Sequence, residues 1–472
     1  MIDRADETRA TWLATLKRFH HDPKQPASAA IWSPRLDAAS RDELIAIQNE
    51  KLTALTPFLY ENSPFYRRRF DRFGLAPTDI ATVDDLAKFP PVDKAEMMAD
   101  ALDHQPYGTY STMTDAVWAE RGWMMFSSSG STGVPRVFRY SHIDREYWSW
   151  ANARACYAMG FRKGDTVFMM TGYGPHVFAW GVQYAMETMR LPTIPGGGMD
   201  AKARVGIINR FKPTILLCTP SYALHLGRVM QEMGLDPAAS SVHSLLLGGE
   251  PVLSIATTHQ RIEKLWGARV VEFYGCTEAS PHVGGYSCDA PRPDGQPVAT
   301  HLMEDIQIWE TVDPESKATQ RTGERGLTVC TNLMSESSPQ LRFLVGDYTT
   351  LDTAPCSCGR THVRAIGSFA GRADDLINLR GIKMFPAQVE DAVRAIPGSG
   401  DEFEIVLATD SGGLDVMTVR CEHPDGAARQ QVFADEIRTR CEVRVTVEVL
   451  TPGTLPKTEF KAKRVRDLRG RG

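Results

Sequence analysis

A short polar loop in the first third of the chain has the residue types of an anion-binding site. Residues 126–136 read FSSSGSTGVPR, with five hydroxyl side chains, two glycines and a cation at the exit, Arg136. Hydroxyls and backbone N–H groups in a turn can bind an anion, and glycine lets an oxygen approach the backbone closely. Strong β-formers follow at once, which disfavours a flexible linker. The loop therefore predicts a phosphate site, whose candidate residues are Ser128, Ser129, Gly130, Ser131, Thr132 and Gly133.

Further polar or glycine-rich turns follow four apolar runs that alternate with helical stretches. The runs are DTVFMMT (165–171), TILLCT (214–219), SLLLGG (244–249) and RVVEFY (269–274). Continuous apolar strands with helical crossovers predict a parallel sheet covered on both faces. Ligands of such sheets bind beyond the carboxyl ends of the strands. We therefore expect one crevice to gather the turns that follow, at 171–174, 219–222, 248–251 and 274–278.

Length and charge restrict the class of protein. A chain of 472 residues is too long for one ordinary core, so two or more domains are expected. A net charge of -5 argues against nucleic acid or an anionic membrane as the main partner. There is no membrane-spanning apolar run and no signal peptide, so we expect a soluble, cytoplasmic protein. A homodimer is the default expectation for its assembly.

The pattern of elements predicts an α/β fold in two parts. Apolar spacing in residues 42–65 predicts a helix or a helix pair, and residues 321–352 predict further strands. After a connector at 371–380, the runs FEIVLAT, LDVMTVRC and VRVTVEVL and a helix at 426–441 predict a small α+β domain. We expect a large N-terminal domain, 1–372, with mostly parallel sheets flanked by helices, and a mobile C-terminal domain, 373–472.

The motifs, in their order along the chain, resemble those of the AMP-forming adenylating superfamily, and the variant most resembles the phenylacetate-CoA ligases. The phosphate loop lacks Walker A spacing but is similar to the loop of this superfamily. Residues 61–97 resemble the amino-terminal region of phenylacetate-CoA ligases. The resemblance implies that a carboxylate attacks the α-phosphate of ATP to form an acyl-adenylate and pyrophosphate, and that a thiol then displaces AMP. The implied cofactors are ATP, Mg²⁺ and coenzyme A.

The segment YGCTE, residues 274–278, resembles the family's Tyr-Gly-x-Thr-Glu motif. The resemblance implies that Tyr274 and Gly275 border the adenine and that Thr277 reaches the α-phosphate. It also implies that Glu278 holds Mg²⁺, a hard cation suited to oxygen ligands. The turn before it is implied to lie along the adenine face, with Gly249, Glu250 and Pro251.

Two later motifs resemble the ribose contacts and the hinge of the family. Asp347, in a Gly-Asp pair, is implied to accept both ribose hydroxyls, for which two carboxylate oxygens are well suited. In GRADD, residues 371–375, Arg372 is implied to contact ribose and phosphate, and Asp374 lies at the family's hinge between domains. Helix capping is the alternative for the two aspartates of this motif.

The segment LPKTEFKAKRV, residues 455–465, resembles the carboxyl-terminal catalytic segment and makes Lys461 the catalytic lysine. Its ammonium would stabilise charge that shifts between the carboxylate and the α-phosphate. The sequence departs from the family at Phe460, where glycine commonly precedes the lysine, so Lys463 is the alternative candidate. A basic, solvated tail is the structural alternative.

The acid pocket is assigned by position to an aromatic segment, residues 172–180. Its rings suit an aryl group, although packing in a core explains them nearly as well. The substrate candidates are Tyr173, His176, Phe178 and Gly248.

Cysteine spacing indicates a metal. Cys356 and Cys358 are too close for a comfortable disulfide, and thiolates suit a soft or borderline metal. Cys288 and His301 would complete a tetrahedral Zn²⁺ site. Residues 285–305 resemble the region where some phenylacetate-CoA ligases carry a structural metal.

Three functions follow from these residues. The leading one is a ligase that joins an aromatic or arylacetic acid to coenzyme A through an acyl-adenylate. The second is a stand-alone adenylation enzyme that loads an aryl acid onto a carrier protein. The third is an inactive nucleotide-binding protein.

Overall fold

The computed structural model describes residues 3–20, 30–128, 136–279, 284–291, 298–458 and 462–469. Contacts divide the chain into two compact units, each built from separate stretches of sequence. Unit 1 comprises Met1–Asp165, Gly172–Thr193 and Phe273–Gly367, and unit 2 comprises Thr166–Thr171, Ile194–Glu272 and Ser368–Gly472.

The α-helices begin and end at these residues: α1 (Arg4–Phe19), α2 (Pro34–Asp37), α3 (Arg41–Asn62), α4 (Pro64–Arg72), α5 (Lys94–Asp103), α6 (Asp115–Arg121), α7 (His142–Ala158), α8 (Val177–Met189), α9 (Ala201–Phe211), α10 (Pro220–Glu232), α11 (Ala256–Trp266), α12 (Pro386–Ala395) and α13 (Gln430–Cys441). The helix or helix pair predicted at 42–65 is confirmed as α3, with the first two residues of α4. Ser63 ends α3 and caps α4, whose first residue is a proline. Within the described part of the chain, no helix has the length and apolar character needed to cross a bilayer.

The strands are β1 (Gly122–Ser127), β2 (Val137–Ser141), β3 (Val167–Met169), β4 (Thr193–Pro195), β5 (Ile215–Cys218), β6 (Ser244–Gly248), β7 (Arg269–Tyr274), β8 (Gly285–Tyr286), β9 (Ala299–Leu302), β10 (Gln307–Val312), β11 (Arg325–Asn332), β12 (Phe343–Asp352), β13 (Arg364–Ile366), β14 (Ile377–Leu379), β15 (Ile382–Met384), β16 (Phe403–Thr409), β17 (Asp415–Glu422), β18 (Thr446–Leu450) and β19 (Val465–Asp467). The four apolar runs are confirmed as β3, β5, β6 and β7. The runs predicted at 321–352 are confirmed as β11 and β12.

The sheet of unit 2 has the strand order β4-β3-β5-β6-β7. β5 pairs in parallel with β3 on one side and with β6 on the other, which confirms the predicted parallel sheet. Every residue of these three strands is buried, because helices cover both faces of such a sheet. Their carboxyl ends share one edge, so Thr219 and the turn at 248–251 follow neighbouring strands there.

The strands of unit 1 pair antiparallel in the order β8-β9-β13-β12-β11-β10. Buried and half-buried residues alternate along β12, as in a strand with one face on the core. A separate hairpin joins β1 to β2, with Ser127 opposite Val137. This hairpin leads into and out of the predicted phosphate loop.

The C-terminal part of unit 2 is the small α+β domain that the sequence predicted. Its sheet has the order β18-β17-β16-β19. Apolar residues of these strands, α12, α13 and the β14-β15 hairpin form one buried cluster. The hairpin begins inside the predicted connector at 371–380. Arg380 and Gly381 both have positive φ, which makes the two-residue turn that tight hairpins prefer.

A buried ion cluster ties three elements of unit 1 together. Arg154 of α7 donates to Asp37 at 2.5 Å and to Asp305 at 2.8 Å, and all three side chains are almost fully buried. Burial opposes ionisation of Asp305, but Arg154 outweighs it and holds the pKa of this carboxyl well below its usual range. A carboxyl with a depressed pKa contributes stability above its unfolded pKa, and that stability is lost as the pH falls.

Replacing Asp305 with asparagine tests this cluster. We expect Asp305→Asn to lower the free energy of unfolding at pH 7 by about 3 kcal/mol, because Arg154 stays buried with one counter-ion fewer. Urea unfolding measures the change. The control is Asp352→Asn, which removes a half-exposed pair with Arg364 and should cost no more than about 1 kcal/mol. Equal losses in both variants would contradict the account.

Candidate active site

Hydrogen bonds close the base of the predicted phosphate loop. Ser128 donates its N–H to the carbonyl of Arg136 at 3.0 Å, and the N–H of Arg136 donates to Ser128 Oγ at 3.3 Å. These bonds extend the β1-β2 hairpin by one pair of residues. They fix where the loop begins and ends. Ser129, Gly130, Ser131, Thr132 and Gly133 lie outside the described residues.

The cation at the loop exit pairs with the carboxylate predicted to hold magnesium. Arg136 Nη2 donates to Glu278 Oε1, and both side chains are less than a tenth exposed. The pair joins the phosphate loop to the segment after β7, 142 residues later in the chain. A second contact acts in parallel, since Tyr140 Oη of β2 donates to the carbonyl of Thr277 at 2.9 Å. The sequence singled out Arg136 only as the cation at the loop exit, and it did not single out Tyr140.

The aromatic residue at the end of β7 contacts the predicted ribose carboxylate. Tyr274 Oη donates to Asp347 Oδ2 at 2.5 Å, although the residues are 73 positions apart. Asp347 lies in β12, where Thr328 Oγ1 donates to its backbone carbonyl at 2.9 Å. The ring of Trp309 lies 6.1 Å from the ring of Tyr274. Tyr274, the last residue of β7, and Asp347 both belong to unit 1, which therefore brings together two residues that the sequence assigned to one nucleoside.

In unit 2, the turn after β6 is built around Glu250. Its Oε2 accepts the N–H of Ser221 at 3.1 Å, and its Oε1 accepts the N–H of Ala462 at 2.6 Å. Burial raises the pKa of this carboxyl, although the two N–H donors oppose the shift. Gly249 has φ +81°, a conformation that favours glycine. Gly248 is buried as the last residue of β6, and Pro251 follows at the surface.

Arg372 and Asp374, the other predicted residues of unit 2, lie near the surface. Arg372 Nη2 donates to Asp374 Oδ2 at 3.4 Å. A short 3₁₀ turn, Ala373–Asp375, begins here without a side-chain cap, so the capping alternative is not seen at its start. The predicted catalytic residue, Lys461, lies outside the described residues.

The segment predicted to contact the acid forms an aromatic cluster in unit 1. The rings of Tyr173 and Trp180 lie 5.0 Å apart, edge to face. Tyr173 Oη donates to Gln183 Oε1 at 3.0 Å, and Trp180 Nε1 donates to the carbonyl of Gly174 at 3.0 Å. His176 is exposed at the start of α8. These contacts fix the orientation of the rings.

Phe178, the remaining candidate of this segment, lies on the first turn of α8. Its ring lies 6.2 Å from that of Phe273 in β7. Phe273 immediately precedes Tyr274, so the aromatic segment approaches the strand that carries the predicted adenine contact.

The four predicted metal ligands converge in unit 1. Their ligand atoms all lie within 4.8 Å of one another: Cys288, His301, Cys356 and Cys358. Cys288 and Cys356 have their Sγ atoms 3.9 Å apart, and Cys358 Sγ lies 3.5 Å from His301 Nε2. His301 is fixed by the pairing of β9 with β13. Three sulfurs and one imidazole nitrogen at this spacing are the donor set of a closed, tetrahedral zinc site.

Contacts among the thiols shift their pKa values in opposite directions, lowering the pKa of Cys356 and raising that of Cys288. Hydrogen bonds from Cys288 and Cys358, with a further contribution from His301, lower the pKa of Cys356 far below its usual value. A turn closes the pair of cysteines, since Gly359 donates its N–H to the carbonyl of Cys356 at 3.0 Å. The cluster therefore has the donor types and the geometry for a divalent cation.

Family models and relatives agree with this geometry. Residues 78–330 match the AMP-binding enzyme family, and residues 381–469 match the AMP-binding enzyme C-terminal domain. The chain is 32% identical to a phenylacetate-coenzyme A ligase of Thermus thermophilus, over 93% of this chain and 100% of the relative. It is also 32% identical to a phenylacetate-coenzyme A ligase of Pseudomonas putida, over 96% of this chain and 99% of the relative.

Solved structures show the same fold. A 2-hydroxyisobutyryl-CoA ligase in the postadenylation state, in complex with R3-HIB-AMP, matches with a TM-score of 0.87 and 27% identity, over 95% of this chain and 94% of that one. The same ligase in complex with 2-HIB-AMP and CoA, in the thioesterification state, matches with a TM-score of 0.71 and 28% identity, over 94% of each chain. The chain therefore belongs to the AMP-binding enzyme family and is an AMP-forming acid–CoA ligase that uses ATP and coenzyme A.

Proposed function

We propose that this ligase activates an aromatic or arylacetic acid. The carrying observation is the aromatic segment at 172–180, in which the rings of Tyr173 and Trp180 lie edge to face and the ring of Phe178 lies 6.2 Å from that of Phe273 in β7. Aromatic rings gain by edge-to-face and offset contacts with an aryl group, beyond the burial of apolar area. The two relatives at 32% identity carry the name phenylacetate-coenzyme A ligase. The competing class of substrate is an aliphatic hydroxy acid, because a similar solved structure carries the name 2-hydroxyisobutyryl-CoA ligase.

We assign the nucleotide to the end of β7 and to β12. Tyr274 and Gly275 border the adenine together with Gly249, Glu250 and Pro251. Asp347 accepts the ribose hydroxyls, and Arg372 contacts ribose and phosphate. The existing bond from Tyr274 to Asp347 supports this assignment, because it orients the carboxylate that would receive the diol.

In the first step, which forms the acyl-adenylate, we assign each of several residues a separate role. A carboxylate oxygen of the acid bonds to the α-phosphorus of ATP while the bond to the pyrophosphate oxygen breaks, and pyrophosphate leaves. The loop at 128–133 and Thr277 hold phosphate oxygens, and the ammonium of Lys461 stabilises the shifting charge. Glu278 would hold Mg²⁺, which supplies charge neutralisation at the phosphates.

The second step releases AMP. The sulfur of coenzyme A bonds to the acyl carbon and gives up its proton, the bond from that carbon to the phosphate oxygen breaks, and AMP leaves with its electron pair. The proposed hinge at Asp374, with the boundary between 372 and 373, would allow the two steps to use different arrangements of the chain. A homodimer and a cytoplasmic location stay predictions.

The acid is tested by pyrophosphate exchange. We expect phenylacetate, benzoate or an aminobenzoate to drive exchange of pyrophosphate into ATP, and Lys461→Ala to lower that rate by a hundredfold or more, about the size of a lost charge-stabilising group. Lys463→Ala is the control and should retain the exchange. Addition of CoA should then yield the aryl thioester.

Other outcomes separate the alternatives. Exchange driven by 2-hydroxyisobutyrate and by no aromatic acid would overturn the aromatic assignment. Transfer to a carrier-protein phosphopantetheine in preference to CoA would favour the adenylation enzyme that loads a carrier. Absence of exchange with every acid tested would favour a nucleotide-binding protein without catalysis.

We also propose that Cys288, His301, Cys356 and Cys358 hold one structural Zn²⁺. The donor set and the convergence of the four ligand atoms support zinc. Cys356 and Cys358 lie in the turn between β12 and β13, Cys288 follows β8, and His301 lies in β9. Asp347 lies in β12, so a metal that fixes this turn would stabilise the strand that carries the ribose carboxylate.

Metal analysis of the purified protein tests the zinc site. We expect about one zinc per chain, and Cys356→Ser should lose most of it and melt at a lower temperature, because a structural zinc contributes directly to folding. The matched control is Cys441→Ser, a buried cysteine in the small domain, which should retain the metal. A native wild-type protein without zinc would overturn the proposal.

A further inference from the structure

A fully buried arginine, Arg360, lies in the turn that carries two of the proposed zinc ligands. It is 1% exposed, as are two other arginines of unit 1, Arg154 and Arg342. A guanidinium stays protonated in a protein, so each of these side chains brings a positive charge into the interior. A buried charge is costly unless an opposite charge lies beside it. Each of the three arginines therefore needs an anion.

Carboxylates supply that anion to two of the three arginines. Arg154 Nη1 lies 2.8 Å from Asp305 Oδ2. Arg342 Nη2 lies 3.0 Å from Glu310 Oε1. Within the described parts of the chain, Arg360 forms no ion pair with a carboxylate. Its compensating charge must come from another kind of group.

Backbone contacts hold Arg360 against the cysteine turn. The N–H of Cys356 donates to the carbonyl of Arg360 at 3.3 Å, so the main chain closes around Cys358. The side chain reaches away from the turn, and its Nη2 donates to the carbonyl of Ala30 at 3.3 Å. A carbonyl satisfies a donor but carries no net charge. These bonds fix the position of the guanidinium without compensating it.

The groups that attract the guanidinium identify its anion. Burial lowers the pKa of Arg360, but attraction to Tyr286, Asp37 and Cys358 outweighs it, so the pKa is raised. Tyr286 keeps its proton, because burial raises the pKa of this phenol well above its usual value. Asp37 is already bonded to Arg154 at 2.5 Å. The sulfur of Cys358 is therefore the group left to compensate Arg360.

We propose that Arg360 supplies the positive charge that neutralises a zinc ion bound by three thiolates and one imidazole. This inference rests on the proposed zinc site at Cys288, His301, Cys356 and Cys358. Three thiolates exceed the charge of Zn²⁺ by one, and the guanidinium cancels that excess inside the protein. It also draws electron density from the sulfur of Cys358. Groups just outside the ligands tune metal affinity in this way.

An arginine with only a structural role would behave differently. Its loss would lower the stability of the fold whether or not a metal is bound, and it would leave the ligand sulfurs unchanged. Loss of a compensating charge weakens zinc binding and changes the electrons of the sulfur. Zinc affinity and the spectrum of a bound metal therefore separate the two roles.

The experiment compares Arg360→Gln with Arg342→Gln. Arg342 is equally buried, but it precedes β12 whereas the cysteine turn follows β12, and its partner is a carboxylate. The zinc dissociation constant is measured by competition with a chelating dye. We expect Arg360→Gln to raise that constant by about ten- to a hundredfold, the range for lost groups just outside a metal's ligands. Arg342→Gln should be less stable than wild type and should keep the wild-type zinc affinity.

Cobalt(II) in place of zinc gives a spectroscopic readout. The charge-transfer bands from thiolate to cobalt report the electron density on the sulfurs. We expect these bands to move to longer wavelength in Arg360→Gln, because the sulfur of Cys358 loses a neighbouring cation. The bands of Arg342→Gln should match those of wild type. Wild-type bands in Arg360→Gln, or equal losses of zinc affinity in both variants, would overturn the proposal.

A second substitution keeps the test decisive if Arg360→Gln does not fold. Arg360→Lys retains the charge but lacks the planar set of donors. We expect it to bind zinc more tightly than Arg360→Gln and still to shift the cobalt bands. Wild-type zinc affinity together with a wild-type cobalt spectrum in Arg360→Lys would overturn the role of the guanidinium.

The zinc proposal and this inference can fail separately. A native wild-type protein without zinc would overturn both of them. A wild-type protein with one zinc, whose affinity is unchanged in Arg360→Gln, would overturn the role of Arg360 alone.

Discussion

The buried pair of Arg136 and Glu278 is the interaction on which the arrangement of the site depends. Each charge is largely removed from water, so either one left alone would carry a desolvation cost of several kcal/mol. The pair therefore forces the exit of the phosphate loop and the end of β7 to stay together. Tyr140 adds a hydrogen bond between the same two segments. Arg136, at the exit of the loop expected to bind phosphate, is thus held close to the segment that carries Thr277, the threonine expected to reach the α-phosphate.

Three carboxylates among the proposed site residues accept hydrogen bonds, and each accepts them from a different kind of donor. Asp347 accepts a phenol, Glu278 accepts a guanidinium, and Glu250 accepts two backbone N–H groups. A carboxylate has lone pairs for several donors, so each of these contacts leaves capacity for a further partner. This property suits a site that must be ordered before ATP arrives and must still bind it afterwards.

Sequence reasoning predicted the parallel strands because each is a short, continuous apolar run between helices. The residues 274–278, Asp347 and the four metal candidates could be proposed from motifs that resemble those of a known family; the metal candidates converge in the structure, and the roles stay predictions. Arg136 could be singled out only as the cation at the loop exit, and its pairing with Glu278 could not be predicted, nor could the bond from Tyr140 to Thr277, because both contacts join distant segments. The register of the antiparallel strands decides those contacts, and no local pattern of residue types encodes it. The β14-β15 hairpin was missed because its strands are only three residues long.

The family accounts for acyl-adenylate chemistry, and in our proposal the aromatic segment at 172–180 selects the acid. That separation agrees with the general rule that function lies in sites carried by a fold. The most direct measurement is a crystal structure with a non-hydrolysable phenylacetyl-adenylate analogue. The account predicts the ribose hydroxyls on Asp347, the adenine beside Tyr274 and the aryl group against Tyr173 and Phe178. An analogue bound away from Asp347 and Thr277 would contradict it.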